Sequence, residues 1–324
     1  MTNPLISIVV TCHNRRHYLG QTMAAIFAQK YRPVEIVVVD DGSTDKTHEL
    51  MKGYGDKIRY YWQENRGVAV TRTHGARLAR GEYIAFQDDD DLMPPDRIVN
   101  LYAALQKHPG AVFATGDYAS IDADGNLTGD RWLWASPERE GASVLIEDGY
   151  AALLWNKIPI APHTTLFRKS DGERVGWFDP LFIYASSDKD FFLRLAQLGS
   201  VVHVRKIVSY YRRGHAQIWS NDLLGNYSRL MLYEKHFSTV DSSRKDLRKR
   251  IRFHLLHALR RIAWCKSRGI CNDVPALEAY IHRGVSLLNM KERIAYRWYA
   301  LIRMPIRRLI KGCDKETGRS LARS

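Results

Sequence analysis

Asp88, Asp89, Asp90 and Asp91 form an unbroken run of four carboxylates directly after the apolar stretch Tyr83-Ile84-Ala85-Phe86. Neighbouring carboxylates repel one another, so such a run implies a positive partner. Oxygen-rich acidic clusters suit hard divalent cations such as Mg2+ or Mn2+, which in turn hold phosphates. Residues 82–87 read as a short buried strand, and Pro94-Pro95 closes the loop that follows. The carboxylates therefore emerge at the carboxyl end of a strand, where open α/β sheets bind their ligands. Taken alone, the run is equally a solvated acidic loop ahead of a helix over residues 96–106.

Two more strand ends are polar. One reads Thr11-Cys12-His13-Asn14 and the other Asp40-Asp41-Gly42-Ser43-Thr44-Asp45. Gly42 can make a turn and Ser43 or Thr44 can cap the next helix, which leaves Asp40 and Asp41 unexplained. Three polar strand ends along one edge describe a nucleotide pocket. No G-x-G-x-x-G follows the first strand, and the chain has no P-loop and no G-x-S-x-G elbow. Dinucleotide dehydrogenase, P-loop NTPase and α/β-hydrolase readings lose their main support.

The elements that must position these residues alternate. Residues 6–11 and 34–39 are β-branched runs, each followed by a helical stretch, over 18–29 and 46–52. Residues 58–62 then predict a third strand, 68–79 a third helix, and 82–87 the fourth strand. This alternation predicts βαβ units on a largely parallel sheet with both faces covered. Strands follow over 111–121, 160–168 and 201–212, with a turn at Asp124-Gly125-Asn126.

At 324 residues, 45% apolar and 26% charged, the chain has the composition of a globular protein with one large domain and an appendage. Its four cysteines, Cys12, Cys265, Cys271 and Cys313, lack metal-site spacing and read as reduced thiols of a cytoplasmic protein. The net charge of +14 is uneven: residues 241–324 carry 21 Lys+Arg against 7 Asp+Glu, and the first 240 carry 28 of each. Two segments with different tasks are expected, at 1–218 and 219–324.

Six stretches, in order, resemble the inverting glycosyltransferases of family 2 with the GT-A fold. They are residues 7–15, residues 38–45 (Val38-Val39-Asp40-Asp41-Gly42-Ser43-Thr44-Asp45), residues 65–72, residues 81–91, Gly176-Trp177-Phe178-Asp179, and residues 188–194. The resemblance covers roughly residues 7–215. It implies a Rossmann-like, mixed and mainly parallel sheet flanked by helices, here with a helical basic C-terminal extension. It also implies transfer of a sugar from a nucleoside diphosphate, UDP most commonly, to an acceptor hydroxyl with inversion.

The same resemblance assigns roles. Thr11, His13, Asn14 and Asp41 line the nucleotide pocket, with the His13 ring where the family often stacks an aromatic residue on the base. Asp88-x-Asp90 matches the D-x-D motif that holds a divalent cation, Mn2+ or Mg2+, against the diphosphate. Asp90 is the expected direct ligand, Asp88 faces the donor, and Asp89 is the alternative register. Arg72 adds charge stabilisation or is a solvated helix arginine. The family's base is the Asp of a Glu-Asp pair; here the pair reads Ser187-Asp188, so the preceding acid is missing and Asp188 is the aligned base, with Asp190 its nearest rival. Tyr211-Arg212-Arg213-Gly214-His215 resembles a segment that folds over the diphosphate, where His215 could reach a phosphate or the metal. Acceptor choice falls between Gly116 and Ile160, with Trp132, Trp134 and Trp155 as sugar-stacking candidates, and His163-Thr164-Thr165 near the acceptor side. The absence of Q-x-x-R-W points to addition of one sugar at a time, in a surface polysaccharide or glycan.

The last quarter reads as helices over 221–237, 246–268, 274–288 and 291–310, the last broken at Pro305. Ile294, Trp298, Leu301, Ile302 and Leu309 recur on one face, with Arg293, Arg297, Arg303, Arg307 and Arg308 around it. Such a helix suits an anionic membrane surface, with a lipid-linked glycan as acceptor, or packs on the protein or on a second copy. Two other classes fit less well. A sugar nucleotidyltransferase needs a glycine-rich basic loop after its first strand, and a nucleic-acid-binding protein would leave the acidic strand ends without purpose.

Overall fold

The computed structural model describes residues 3–132, 142–183, 185–213, 222–268, 277–298 and 300. The chain divides into two compact units, Met1–Ile183 with Ser187–Ala216, and Tyr184–Ser186 with Gln217–Ser324.

The first unit is built on β1 (Ile6–Cys12), β2 (Val34–Asp41), β3 (Arg59–Gln63) and β4 (Tyr83–Asp88), all parallel in the order β3-β2-β1-β4. Helices α1 (Arg16–Phe27), α2 (Thr47–Lys52) and α3 (Val68–Leu78) make the crossovers. Every residue of β1 is buried, as a β-branched run covered on both faces requires. Ile6, Ile8 and Val10 join Leu19, Met23 and Ile26 of α1 in the main core, together with Ile98, Leu101 and Leu105 of α4 (Arg97–Lys107). On the opposite face α3 lies close: a Cβ on Gly75 would stand 2.4 Å from Val9 Cγ1.

Beyond β4 the sheet is mixed and continues β4-β8-β5-β9-β7, with β6 paired to β5. These strands are β5 (Ala111–Ile121), β6 (Leu127–Trp132), β7 (Ser143–Ile146), β8 (Thr165–Arg168) and β9 (Ser200–Arg212). Helices α5 (Gly149–Leu154), α6 (Lys169–Arg174) and α7 (Ser187–Ala196) lie between them in the chain. The α/β class, the four leading strands and the long strand at 111–121 match expectation. The strand expected over 160–168 does not form whole: Pro162 opens a single 3-10 turn through Thr164, and extended structure begins at Thr165. Proline has no N–H to give a ladder, which accounts for the break. β6, β7, α5 and α6 are additions to the expected elements, each six residues or fewer and too short to show a period.

The register lines up the strand ends. Thr11 pairs with Val39 on one side and Asp88 on the other, and Cys12 pairs with Asp40. The order turns back between β1 and β4, the position at which a doubly wound sheet opens a ligand crevice. Gly42 follows directly with φ +80°, and a Cβ there would meet the Asn65 nitrogen at 2.9 Å.

The second unit contains α8 (Asp222–Thr239), α9 (Lys245–Ser267), α10 (Leu277–Ser286) and α11 (Met290–Trp298). Leu247, Ile251, Leu255, Leu259 and Ile262 recur along the buried side of α9. Among the described residues no helix is long and apolar enough to cross a membrane. Of the apolar face expected over 291–310, Ile294 is exposed; the Trp298 side chain and everything from Leu301 onward lie outside the described residues.

At the opposite, amino-terminal edge of the parallel strands Glu35 binds several chain segments together. Its Oε1 accepts from Ser7 Oγ at 2.5 Å and from the Arg80 N–H at 2.5 Å, and Oε2 accepts from Arg59 at 2.9 Å. Burial alone would raise this carboxyl, but the bonds from Ser7, Arg80 and Arg59 hold it below the usual glutamate range. A lowered carboxylate pKa means that Glu35 contributes its full stability above the unfolded value and loses it as pH falls through the folded one. Glu35→Gln should therefore cost about 1–3 kcal/mol at neutral pH, with the gap from wild type closing below roughly pH 4, as read by urea denaturation across pH.

Candidate active site

Each of the four aspartates has a different partner. Asp88, the last residue of β4, accepts from Arg72 Nη2 at 2.6 Å. Asp89 accepts the His13 N–H at 2.9 Å and lies 3.4 Å from Arg15 Nη1. Asp90 pairs with the same Arg15 nitrogen. Asp91 Oδ1 accepts the Arg212 N–H at 2.8 Å, while Oδ2 lies 3.6 Å from His163 Nε2.

The loop's own backbone is also held. Thr22 Oγ1 on α1 lies 3.0 Å from both the Asp89 and Asp91 carbonyls, and Gln87 Nε2 donates to the Asp91 carbonyl at 2.9 Å. Beneath, the fully buried Arg97 donates to Gln87 Oε1 at 2.8 Å and to the Phe86 carbonyl at 2.9 Å.

Electrostatics differ along the run. Burial would raise Asp88, but Arg72 outweighs it and holds the carboxyl below the usual range. Burial, then the charge of Asp90, pushes Asp89 up to about 8. Burial with Asp90 and Asp88 pushes Asp91 well up. Burial and the neighbouring carboxylates thus work against full ionisation of the run, while Arg72 works for it at Asp88. Burial pulls the Arg97 guanidinium down to about 9 and the His163 imidazole to about 4, so His163 is neutral.

Arg72 connects this loop to Asp188. It is nearly buried, and its burial acts to lower its pKa, yet the carboxylates of Asp88, Asp188 and Asp90 raise it overall. Its guanidinium also stands 5.8 Å from the Phe178 ring, which stacks on Phe191 of α7 at 4.4 Å. The solvated-helix reading of Arg72 is therefore corrected, because α3 points it inward. Asp188, in the first turn of α7, is half-buried, and its Oδ1 accepts the Lys189 N–H at 2.7 Å. Asp190 is fully buried and taken by Arg194, at 2.8 Å from Nε and 2.7 Å from Nη2. Arg194 Nη2 donates onward to the Trp177 carbonyl at 2.6 Å, so this pair joins α7 to the preceding turn.

At the nucleotide edge, Asp41 accepts from Gln63 Nε2 at 2.7 Å and from the Arg66 and Gly67 N–H groups at 2.9 Å each. Its carboxylate shapes the loop before α3. Thr11 is the penultimate residue of β1 and is nearly buried. His13 is exposed, with Nδ1 2.8 Å from the Asp41 carbonyl. Asn14, at φ 54°, clasps the two loops: its N–H donates to Ser43 Oγ at 2.9 Å and its Oδ1 accepts the Thr44 N–H at 2.7 Å. Neither Ser43 nor Thr44 caps α2, whose N-cap is Lys46 without a side-chain cap bond; Asp45 instead ties the α1 and α2 starts, accepting from Thr47 Oγ1 at 2.6 Å and from the Arg16 N–H at 2.8 Å.

Of the 211–215 segment, residues 211–213 lie among the described residues. Arg212 is fully buried, with Nε donating to the Asp90 carbonyl at 2.7 Å, Nη1 to the Ala123 carbonyl at 2.7 Å and Nη2 to Gln21 Oε1 at 2.8 Å. Its donors are consumed by the protein itself. Tyr211 stacks on His163 at 5.5 Å, and His163 Nδ1 lies 2.7 Å from Ser209 Oγ, so the His163 ring is engaged within the buried interior. Gly214, His215 and Trp134 lie outside the described residues, as does the Trp132 side chain; Trp155 is half-buried with Lys157 over its ring. Among the described residues no group of three or more His, Cys, Asp and Glu side chains is arranged around a common metal position. Asp88 and Asp90 do offer hard oxygen donors, each paired here with a guanidinium. Mg2+ and Mn2+ sites commonly take one or two carboxylates, with phosphate and water completing the shell. The donor set fits that pattern.

Arg15, Arg212 and Asp91 were missed as site-forming residues. The repulsion within the acidic run itself was the available signal, since it demands nearby cations, but their positions depend on the fold.

A family model described as "Glycosyl transferase family 2" matches residues 7–176. The chain belongs to glycosyl transferase family 2. An uncharacterised glycosyltransferase of Rickettsia typhi is 28% identical over 221 residues, 66% of each protein. One of Haemophilus influenzae is 37% identical over 131 residues, 39% of this chain and 52% of the relative. Chondroitin synthase of Escherichia coli is 27% identical over 247 residues, 74% of this chain but 32% of the synthase. The chain thus spans two thirds or less of the length of these relatives. Residues 1–349 of TarS from S. aureus, solved in complex with UDP-GlcNAc, superpose with a TM-score of 0.62 at 14% identity, over 96% of this chain and 92% of that one. That likeness establishes the GT-A fold.

Arg212→Met should destabilise the protein by on the order of 3 kcal/mol, because it strips donors from several buried oxygens at once. Arg212→Lys should recover only part, since one ammonium cannot span the same acceptors. Urea denaturation of both variants measures this.

Proposed function

We propose that the protein transfers a sugar from a nucleoside diphosphate donor, UDP first among candidates, to an acceptor hydroxyl with inversion, one residue at a time. The observation that carries this reading is Arg72, whose guanidinium pairs with Asp88 at 2.6 Å and also feels the charges of Asp188 and Asp90. Asp188 takes the proton of the acceptor hydroxyl as its oxygen attacks the anomeric carbon, and the bond from that carbon to the diphosphate breaks on the opposite face. Asp188 sits in the first turn of α7 and is half-buried. Asp190 cannot serve this role, being consumed by Arg194.

Thr11, His13, Asn14 and Asp41 form the nucleotide edge of the pocket, with Asp41 acting through the 65–67 loop that it holds. Asp90 and Asp88, with Asp89 adjoining, would hold Mn2+ or Mg2+, which when bound supplies a Lewis acid to the departing diphosphate. Arg15 and Arg72 are the cations that pair with those carboxylates otherwise. His215 remains a candidate ligand from the segment after β9. The TarS structures hold UDP-GlcNAc and UDP, which supports a nucleotide-sugar donor here.

Residues 1–218 form the catalytic domain in this reading. Residues 219–324 are an appended region that contacts a membrane or a second copy at the cytoplasmic face. The product is a bacterial-type surface polysaccharide or glycan, built on a glycan or lipid-linked acceptor.

UDP titrations with and without Mn2+ test the donor side: Asp90→Ala should remove the Mn2+-dependent part of UDP binding. Asp188→Asn should leave UDP binding within twofold of wild type and lower kcat by roughly 10²–10⁴-fold. Wild-type turnover in Asp188→Asn would move the base elsewhere.

A further inference from the structure

The outer side of α9 is strongly basic and carries aromatic rings among its cations. Past Asp246 it presents Lys249, Arg250, Phe253, Leu256, His257, Arg260, Arg261, Trp264 and Arg268, with no acid among them. Lys249, His257 and Arg268 are exposed, and Phe253 is 55% exposed although it is a phenyl ring. Both aromatic rings on this side carry guanidiniums: Arg250 stands 5.1 Å from the Phe253 ring, and Arg261 and Arg268 stand 4.8 Å and 4.4 Å from Trp264. The flanking cations are spent differently. Arg252 pairs with Glu292 at 3.2 Å, Lys266 pairs with Glu278, and Arg248 donates to the Val240 carbonyl at 3.1 Å. Lys249, Arg250 and Arg268 have no acidic partner among the described residues.

From this we infer that the outer face of α9 rests on the surface of an anionic lipid bilayer. Complementary charge requires an anionic partner. A second copy would set one cationic face against another. The chain after Ala300 carries 7 Lys+Arg against 2 Asp+Glu, so it too is repelled. The lipid surface is favoured over a polyanion by Phe253, Leu256 and Trp264, which lie among the cations along one helix roughly 34 Å long. Apolar side chains spaced in this way enter the headgroup boundary while the cations stay at the phosphates. This inference deepens the membrane contact proposed above by naming the face, and it stands independently of the sugar-transfer reading because the readout is partition.

The test is flotation of the full chain with vesicles of phosphatidylglycerol and phosphatidylethanolamine, against phosphatidylcholine vesicles, at low and high salt. A DNA duplex and dextran sulfate are run as competitors. Binding is expected to the anionic vesicles alone and to weaken with salt. Lys249→Glu/Arg250→Glu/Arg268→Glu should lower the partition coefficient by roughly a hundredfold or more. Phe253→Ser, an exposed single change that keeps the fold even if the triple variant does not, should lower it several-fold. Thermal unfolding and UDP binding serve as controls for the fold. Equal binding to phosphatidylcholine, undiminished binding by Phe253→Ser, or binding of DNA or dextran sulfate without vesicles would each overturn the inference.

Discussion

Four consecutive carboxylates at the mouth of a parallel sheet repel one another, and the site is arranged around containing that repulsion. Asp88 pairs with Arg72 and Asp90 with Arg15, while burial and the neighbouring carboxylates push the carboxyls of Asp89 and Asp91 up. The carbonyls of the same loop are tied by Thr22, Gln87 and Arg212, so the charges cannot relax by moving apart. Conformational freedom is exchanged for a fixed array of oxygens. A rigid anionic array is what a preorganised site for a cation and a diphosphate needs, since little reorganisation is left for the moment of binding.

The cost of that array is met with cations that look unrelated in the chain. Arg15 comes from the loop after β1, Arg72 from α3, Arg97 from α4 and Arg212 from the end of β9. The long strand β9 brings Arg212 back to the acidic loop after a separation of more than a hundred residues, with Leu92 and Tyr210 joined by an isolated bridge beside it. Loop and strand therefore stabilise one another, and neither has its native environment without the other.

The sequence made the periodic part of this fold legible. β-branched runs at 6–11 and 34–39 and the acidic end of β4 were readable because burial on both faces forces continuous apolar composition. The polar strand ends were readable for a related reason: once the strands are parallel, their carboxyl ends must share an edge. What escaped was pairing between distant segments. Arg212 had no role of its own in the sequence, because nothing local shows that Ala123, Asp90 and Gln21 surround it. His163 read as facing an acceptor because its neutral, inward state depends on Asp91 and Ser209. The short β6, β7, α5 and α6 had no period to read. Asp190 read only as the rival of Asp188, although its pairing with Arg194 four residues on follows helical spacing.

Gly75 has a wider effect than its size. Without a side chain there, α3 lies flush on Val9 and Val39, and Arg72 leaves the helix one turn earlier. The depth to which the guanidinium descends is thus gauged by the thickness of bare backbone against the sheet. Any added carbon would act as a shim, tilting the helix outward and drawing the cation away from both Asp88 and Asp188 together. A position that contacts no ligand thereby calibrates the span between the two halves of the site.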